Sequence, residues 1–329
     1  KSDLIVSHPP TMHTCTYTVG PPGQFRAILH PAPFMERRQY CKKAQVNEQM
    51  PTHNFMGKLA RVLENAQLRV TYRDIGAPAR AADALSLSHM APAPTSRGLV
   101  FRRCYYYPFW QIEARPERWL WDVAVAEFDP SGVDPKQAQR FYSFWQKRLF
   151  GDAPQQSNRD GPIYVPLQGR LLHRRSFQSC SPLEMLTLTL DHSTGPVVAA
   201  LHPKEFYSPE EQTALEALAA RHPKLTLTMG EMVRHLQSCA FVVTQNSAAA
   251  YSGYFFSKPA LFFGQIDFHH IGVRADLADL SPSFAAVGQA APDFAAYIWW
   301  FWQEHCINAG RAEAEEKIVA RFKRFDWPL

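Results

Sequence analysis

Two doubly wound α/β domains are what this sequence predicts, and three observations carry that expectation. Short apolar runs alternate with helical stretches from Ile163 onward. The same rhythm, more widely spaced, runs from Phe25 to about Phe128. With 329 residues, 46% of them hydrophobic and 20% charged, the chain is also long enough and apolar enough for two cores.

Taken in order, 25–29 reads as a strand, 54–66 as an amphipathic helix and 68–72 as the next strand, a βαβ rhythm. A helix is expected over 135–150. The polar stretch 151–161 has the Gly and Pro content of a linker, which sets an acceptor-side domain at 1–155 and a ligand-binding domain at 156–329. In the second domain the strands are 163–167, 196–201, 225–227, 240–244 and 260–263, with helices at 182–191, from Ser208 and over 230–238 between them. Ser208, Pro209 and Glu211 spell a capping box with proline in the first turn. Ser247 opens a helix of small residues. The tail, 292–306 and 311–325, is helical and packs across the body, with Ile318, Phe322 and Phe325 on one face.

Composition narrows the function classes. The net charge is +5, without runs of Lys and Arg interleaved with aromatics, so nucleic acid is not an expected partner. Six scattered cysteines form no CxxC pair and no short Cys/His ligand spacing, as suits a reducing cytosol. No apolar run reaches membrane-spanning length and the N-terminus lacks a secretory signal; a cytoplasmic setting is expected, with peripheral contact at the inner membrane left open. Trp299, Trp300 and Trp302 suit either a membrane interface or packing against the body, the latter favoured.

In doubly wound sheets, ligands sit beyond the carboxyl ends of the strands. His-Pro occurs four times (His8, His30, His202, His222), whereas this composition gives about one by chance, so the dipeptide alone is weak evidence. Context singles out His202 and Pro203, with Lys204 following, because they end a buried strand and precede a capped helix. His222 leads from a helix into a strand, at the opposite edge. Asn246, Ser247 and Ala248 stand where a strand turns at once into a helix; the unpaired N–H groups and the dipole there attract a phosphate, and the Ser247 hydroxyl adds a donor. Gln168 ends the first strand of the domain, followed by the basic loop Arg170, His173, Arg174 and Arg175. The aromatic stretch 101–113 is read as core or seam, except Glu113, a carboxylate able to bind or deprotonate an acceptor hydroxyl. Asp267, His269 and His270 invite a metal reading, but adjacent histidines point apart and no third ligand has suitable spacing, so no metal is expected.

Four segments, VPLQ (165–168), SPLEML (181–186), VVAALHPKEF (197–206) and MVRHLQSCAFVVTQNSAAAYSGYFFSKPALFFG (232–264), resemble the bacterial capsular polysaccharide synthesis family, and FRRCYYYPFWQIE (101–113) extends the likeness. Known members are β-Kdo transferases that use CMP-Kdo. The resemblance implies a GT-B fold, two Rossmann-like domains with parallel sheets facing a central cleft, and a nucleotide-sugar donor held by the C-terminal domain. It implies that His202 and Pro203 match a His-Pro element beside the CMP phosphate and that Ser247 matches a phosphate-binding serine. CMP would leave without a metal or cofactor, and the acceptor would be a bacterial glycan or glycolipid within reach of a polysaccharide assembly machinery. This sequence departs from the family twice. The loop 169–175 has no acid where the family carries a catalytic carboxylate, and Ser252 stands where the family has a ribose-binding Glu. His173 or Glu113 would serve as the catalytic group. Three rivals stand: a UDP- or GDP-sugar transferase, an inactive glycan-binding relative and a sugar epimerase.

Overall fold

The computed structural model describes residues 4–6, 17–18, 55–72 and 82–329. The strand expected at 25–29, and His8 and His30, lie outside them. The chain is α/β and divides into two compact units, one formed by 1–122 with 302–329 and the other by 123–301.

The first unit carries a mixed sheet, in which Ile307–Asn308, Phe109–Glu113, Arg97–Arg103 and Leu85–His89 lie side by side, followed by Leu4–Val6, Tyr17–Thr18 and Val70–Tyr72. Leu85–His89 and Arg97–Arg103 are parallel although only seven residues join them. Gly98 permits this tight return, since a Cβ there would come within 2.3 Å of the Ala93 methyl and 2.4 Å of Ser86 Oγ. Arg97–Arg103 and Phe109–Glu113 are antiparallel. This pair departs from parallel pairing for a simple reason: the five residues 104–108 can reverse the chain but cannot carry a crossover.

The helix Phe55–Asn65 buries Phe55, Leu59, Val62 and Leu63 against this sheet, and the C-terminal helix Ala314–Arg324 adds Ile318 and Phe322 to the same core. The second tail helix is thus part of the first unit's core, whereas Phe294–Trp299 belongs to the second unit. Arg61 and Glu315 tie the two helices at 2.6 Å.

The second unit has a six-stranded sheet in the order Val273–Arg274, Ala260–Phe262, Val242–Thr244, Ile163–Pro166, Val197–Leu201, Leu225–Met229, with every pairing parallel. Alternation of side chains divides its two faces. Ile163, Val165, Val197, Ala199, Val243 and Leu261 share a core with the helices Pro182–His192, Pro209–Arg221 and Leu280–Gln289. On the other face Tyr164 stacks on His235 of the helix Met232–Ser238 at 5.0 Å.

The helix Pro135–Phe150 starts as the sequence predicts, with Asp134 accepting from the Lys136 and Gln137 N–H groups, and it ends at Gly151 with φ 59°. It belongs to the second unit, where Tyr142 Oη donates to Tyr254 O at 2.7 Å and Gln146 Nε2 to Phe255 O at 2.6 Å. The expected linker 151–161 is bound into that unit as well: Arg159 donates to Ala240 O and Gly288 O, Ser157 to Phe256 O and the buried Lys258 ammonium to Asn158 O. The compact units therefore part at 122/123 and 301/302 rather than at 155/156. Polar composition marks a surface segment, and here side-chain bonds to otherwise open carbonyls hold that segment down. Among the described residues no helix is long and apolar enough to cross a membrane.

Candidate functional site

In order of appearance, the strands of the second unit stand 6-5-4-1-2-3 across the sheet, so the direction of winding reverses between Ile163–Pro166 and Val242–Thr244. Helices diverge to opposite faces at such a switch point and leave a crevice beyond the strand ends. Three consecutive strand tips at this edge carry, in order, Ser247, Gln168 and His202. His202 and Ser247 are thus not on adjacent strands; Ile163–Pro166 lies between them, an offset of roughly 10 Å at the backbone, with Gln168 in the middle.

Tyr207 fastens two of these tips together. Its hydroxyl accepts from His202 N–H at 2.8 Å and donates to Leu167 O at 3.3 Å. His202 is exposed, and its Nδ1 accepts from the Lys204 N–H at 3.2 Å. Nδ1 as acceptor places the proton of the neutral ring on Nε2, so the imidazole offers an N–H donor. Pro203 and Lys204 are exposed beside it.

Ser247 caps the helix Ala248–Tyr254, its Oγ accepting from Ala249 N–H at 3.2 Å, which leaves the hydroxyl hydrogen for another acceptor. Asn246 and Ser247 are each 8% exposed, and Ala248 is exposed, its N–H lacking an intrahelical partner by position. Five helices of this unit start beyond strand ends. Pro182–His192 and Pro209–Arg221 begin with proline and carry Glu184, Glu210 and Glu211 in the first turn; Met232–Ser238 follows Glu231, and Leu280–Gln289 follows Asp279. Acid at those starts neutralises the dipole and repels an anion. The start at 247–248 has neither proline nor acid.

Gln168 is half-buried and lines a cavity of about 10 Å³ with Leu167, Gln178, Met185, Thr244 and Gln245. That space is of the size of one water. Gln245 is a residue that sequence reasoning passed over. It is 4% exposed, and Nε2 donates to Cys180 O at 2.8 Å, while Oε1 has no partner among the described residues. The TQNS segment was legible as a strand-to-helix turn, but nothing local distinguishes Gln245 from its neighbours.

The basic loop arches over this edge. Arg170 has φ 64°, Arg175 donates to Gly169 O, Arg174 to Gln178 O at 2.8 Å, and Leu171 N–H to the Glu211 carboxylate at 2.5 Å. His173 is exposed on the loop, its N–H donating to Arg170 O at 3.2 Å.

Glu113 does not stand on a rim. It is 4% exposed inside the first unit, and Arg321 Nη2 lies 2.7 Å from its Oε1. The guanidinium directs its aligned hydrogen bonds to Ile112 O and Asp122 instead. Burial outweighs the nearby cation and raises the Glu113 carboxyl to about 7. This is the setting of a structural acid in the sheet of the first unit.

His269 and His270 do not diverge; their rings stack at 4.3 Å. His269 Nδ1 meets Ile266 O at 2.8 Å, and His270 is spanned by Tyr297 Oη and Ala126 O. Both therefore serve the packing of this unit. Among the described residues no group of three or more His, Cys, Asp or Glu side chains is placed to hold a metal ion.

No protein-family model and no curated protein matches the chain. Among solved structures it is similar to Thermosulfurimonas dismutans KpsC, a beta Kdo 2,7 transferase, with 12% identity and a TM-score of 0.47, over 81% of this chain and 96% of that one.

Proposed function

We propose that this protein is a glycosyltransferase of GT-B type that moves an ulosonic acid, Kdo in the first instance, from its CMP-linked form to a bacterial glycan or glycolipid. The observation that carries this reading is the reversal of strand order at 163–166 and 242–244, with Gln168, His202 and Ser247 on three consecutive tips of that edge. The chemistry of those groups fits a phosphate that gains charge as it leaves. On this reading His202 Nε2–H, the Ser247 hydroxyl and the Ala248 N–H donate to that phosphate, and donors held before reaction lower the barrier to departure of CMP. Asn246 and Gln168 supply amides for the nucleotide or sugar, and Lys204 with Arg170 gives the edge a positive field for an anionic donor. The resemblance of 165–168, 197–206 and 232–264 to CMP-Kdo-using transferases favours cytidine over other bases.

Calorimetric titration of CMP and UMP into the wild type and His202→Ala tests the reading. Preference for CMP, and at least tenfold weaker binding in the variant, are expected. Equal binding of the two nucleotides, or no change in His202→Ala, would overturn it.

A second reading has one observation in its favour. The enclosed space at the switch point is no larger than one water, which suits a protein that holds a nucleotide or glycan at the surface without turning it over. Release of CMP from CMP-Kdo above the uncatalysed background excludes that reading.

A further inference from the structure

The loop 167–175 contains no acid, yet the fold brings two to it: Glu211, whose oxygens are engaged by the Leu171 and Ser208 N–H groups, and Glu205, which is exposed. Gly169 is buried directly after Gln168, and a Cβ added there would stand 2.8 Å from Oε2 of Glu205 and 3.3 Å from the Phe206 carbonyl. The Glu205 carboxylate therefore lies against the Gly169 backbone, in space that any other residue at 169 would fill.

The backbone turn that carries Glu205 is held on both sides. Glu205 N–H donates to His202 O at 3.1 Å, closing a turn that puts the carboxylate on the same short segment as the imidazole. Tyr207 Oη holds that turn to Leu167. Arg175, which donates to the Gly169 carbonyl, also feels the Glu205 charge. Glu205 is exposed, and it is the sole acid in 167–175 and 202–207. Beside it Phe206 is 81% exposed, an unusual position for so large an apolar ring. A carboxylate next to an open aromatic face is the pairing that sugars call for: the ring covers the apolar face of a pyranose while the carboxylate takes its hydroxyls.

We infer that Glu205 is the base of the transfer reaction, with Phe206 supporting the acceptor sugar; this rests on the donor reading above. The acceptor oxygen forms the new bond to the anomeric carbon as its proton passes to the Glu205 carboxylate. The bond from that carbon to the phosphate oxygen breaks, and its electron pair leaves on CMP. Glu205 then returns the proton to solvent. His202 and Glu205, three residues apart, would serve the leaving group and the attacking group respectively.

The test uses the full chain with CMP-Kdo and water as acceptor, so that no acceptor need be known. CMP release is followed in wild type, Glu205→Gln, Glu205→Asp and Gly169→Ala, alongside calorimetric CMP affinity and thermal melting. Glu205→Gln is expected to lose about 100-fold or more in rate with CMP affinity and melting unchanged, and Glu205→Asp to retain part of the rate. Gly169→Ala, whose methyl displaces the carboxylate, is expected to lose about tenfold, and to cause no further loss when Glu205 is already Gln. Glu205→Gln within threefold of wild type overturns the inference while leaving CMP binding, and hence the donor reading, intact. A wild type that binds CMP but releases none from CMP-Kdo overturns it equally. Absence of CMP binding in the wild type removes the donor reading and this inference together.

Discussion

Glu211 and Leu171, forty residues apart, are joined by a 2.5 Å hydrogen bond from the Leu171 N–H to the Glu211 carboxylate. The other oxygen of that carboxylate accepts from the Ser208 N–H at 2.9 Å, so one side chain closes a capping box and anchors the loop over the candidate site. Glu184 closes a similar box with Ser181, with no such second bond to the loop. Glu211→Ala is therefore expected to cost about 3 kcal/mol, combining a lost cap with a buried N–H left unpaired, whereas Glu184→Ala costs about 1 kcal/mol. Denaturant midpoints of the two variants measure the difference; equal losses would show that the loop bond contributes nothing.

Ala248 offers a test in which two readouts move in opposite directions. An aspartate there sits at the positive end of the helix dipole, so Ala248→Asp is expected to leave the melting temperature unchanged or slightly raised. The same charge repels a phosphate, and CMP affinity is expected to fall at least tenfold. Undiminished affinity in a calorimetric titration would remove this helix start from the site.

Tyr207→Phe deletes the hydroxyl shared by His202 N–H and Leu167 O. The ring remains packed, so the expected loss is about 1–2 kcal/mol of stability. CMP affinity should weaken in parallel, since the tips carrying Gln168 and His202 are no longer pinned. A variant that melts lower but binds CMP as tightly as wild type would show that the pin serves the fold alone.

Glu113, raised to about 7, makes the first unit pH-sensitive with a definite sign. Between the ordinary carboxylate pKa and about 7 the folded chain holds this proton and the unfolded chain does not, so stability falls as pH rises through that window, by up to about 3 kcal/mol. Asp122, lowered by Arg321 and Arg324 although burial opposes them, contributes in the opposite sense and only at lower pH. The half-buried His235, His269 and His305, all lowered by desolvation, act alike in wild type and variant. Glu113→Gln is expected to melt higher than wild type at pH 8 and to equal it near pH 4.5. A wild-type-minus-variant difference that stays constant across that range would contradict the assignment.

Local chemistry was readable and long-range assembly was not. The Ser208–Glu211 box, the proline-started helix at 135 and the strands near 163, 197 and 242 lie where their own residues place them, because caps and apolar runs act within a few positions. The mixed sheet of the first unit escaped notice because pairing partners are not encoded locally. The same limit hid the contact of Glu205 with Gly169: a search along the loop for a carboxylate finds none, whereas the sheet delivers one from the next strand tip. Glu113 shows the converse, since a polar residue in an aromatic stretch looks like a rim until its burial is known.

The division of the chain between the two units imposes an order on biosynthesis. Phe55, Leu59 and the sheet of the first unit need Ile307, Ile318 and Phe322 to complete their core, and those residues are synthesised after the whole of the second unit. The continuous stretch 123–301 can close on itself during translation, while the part of the first unit that precedes it waits with apolar surface open until 302–329 arrive. Removal of 302–329 would consequently strike the first unit, and a released chain ending at residue 301 should still bind whatever the second unit binds.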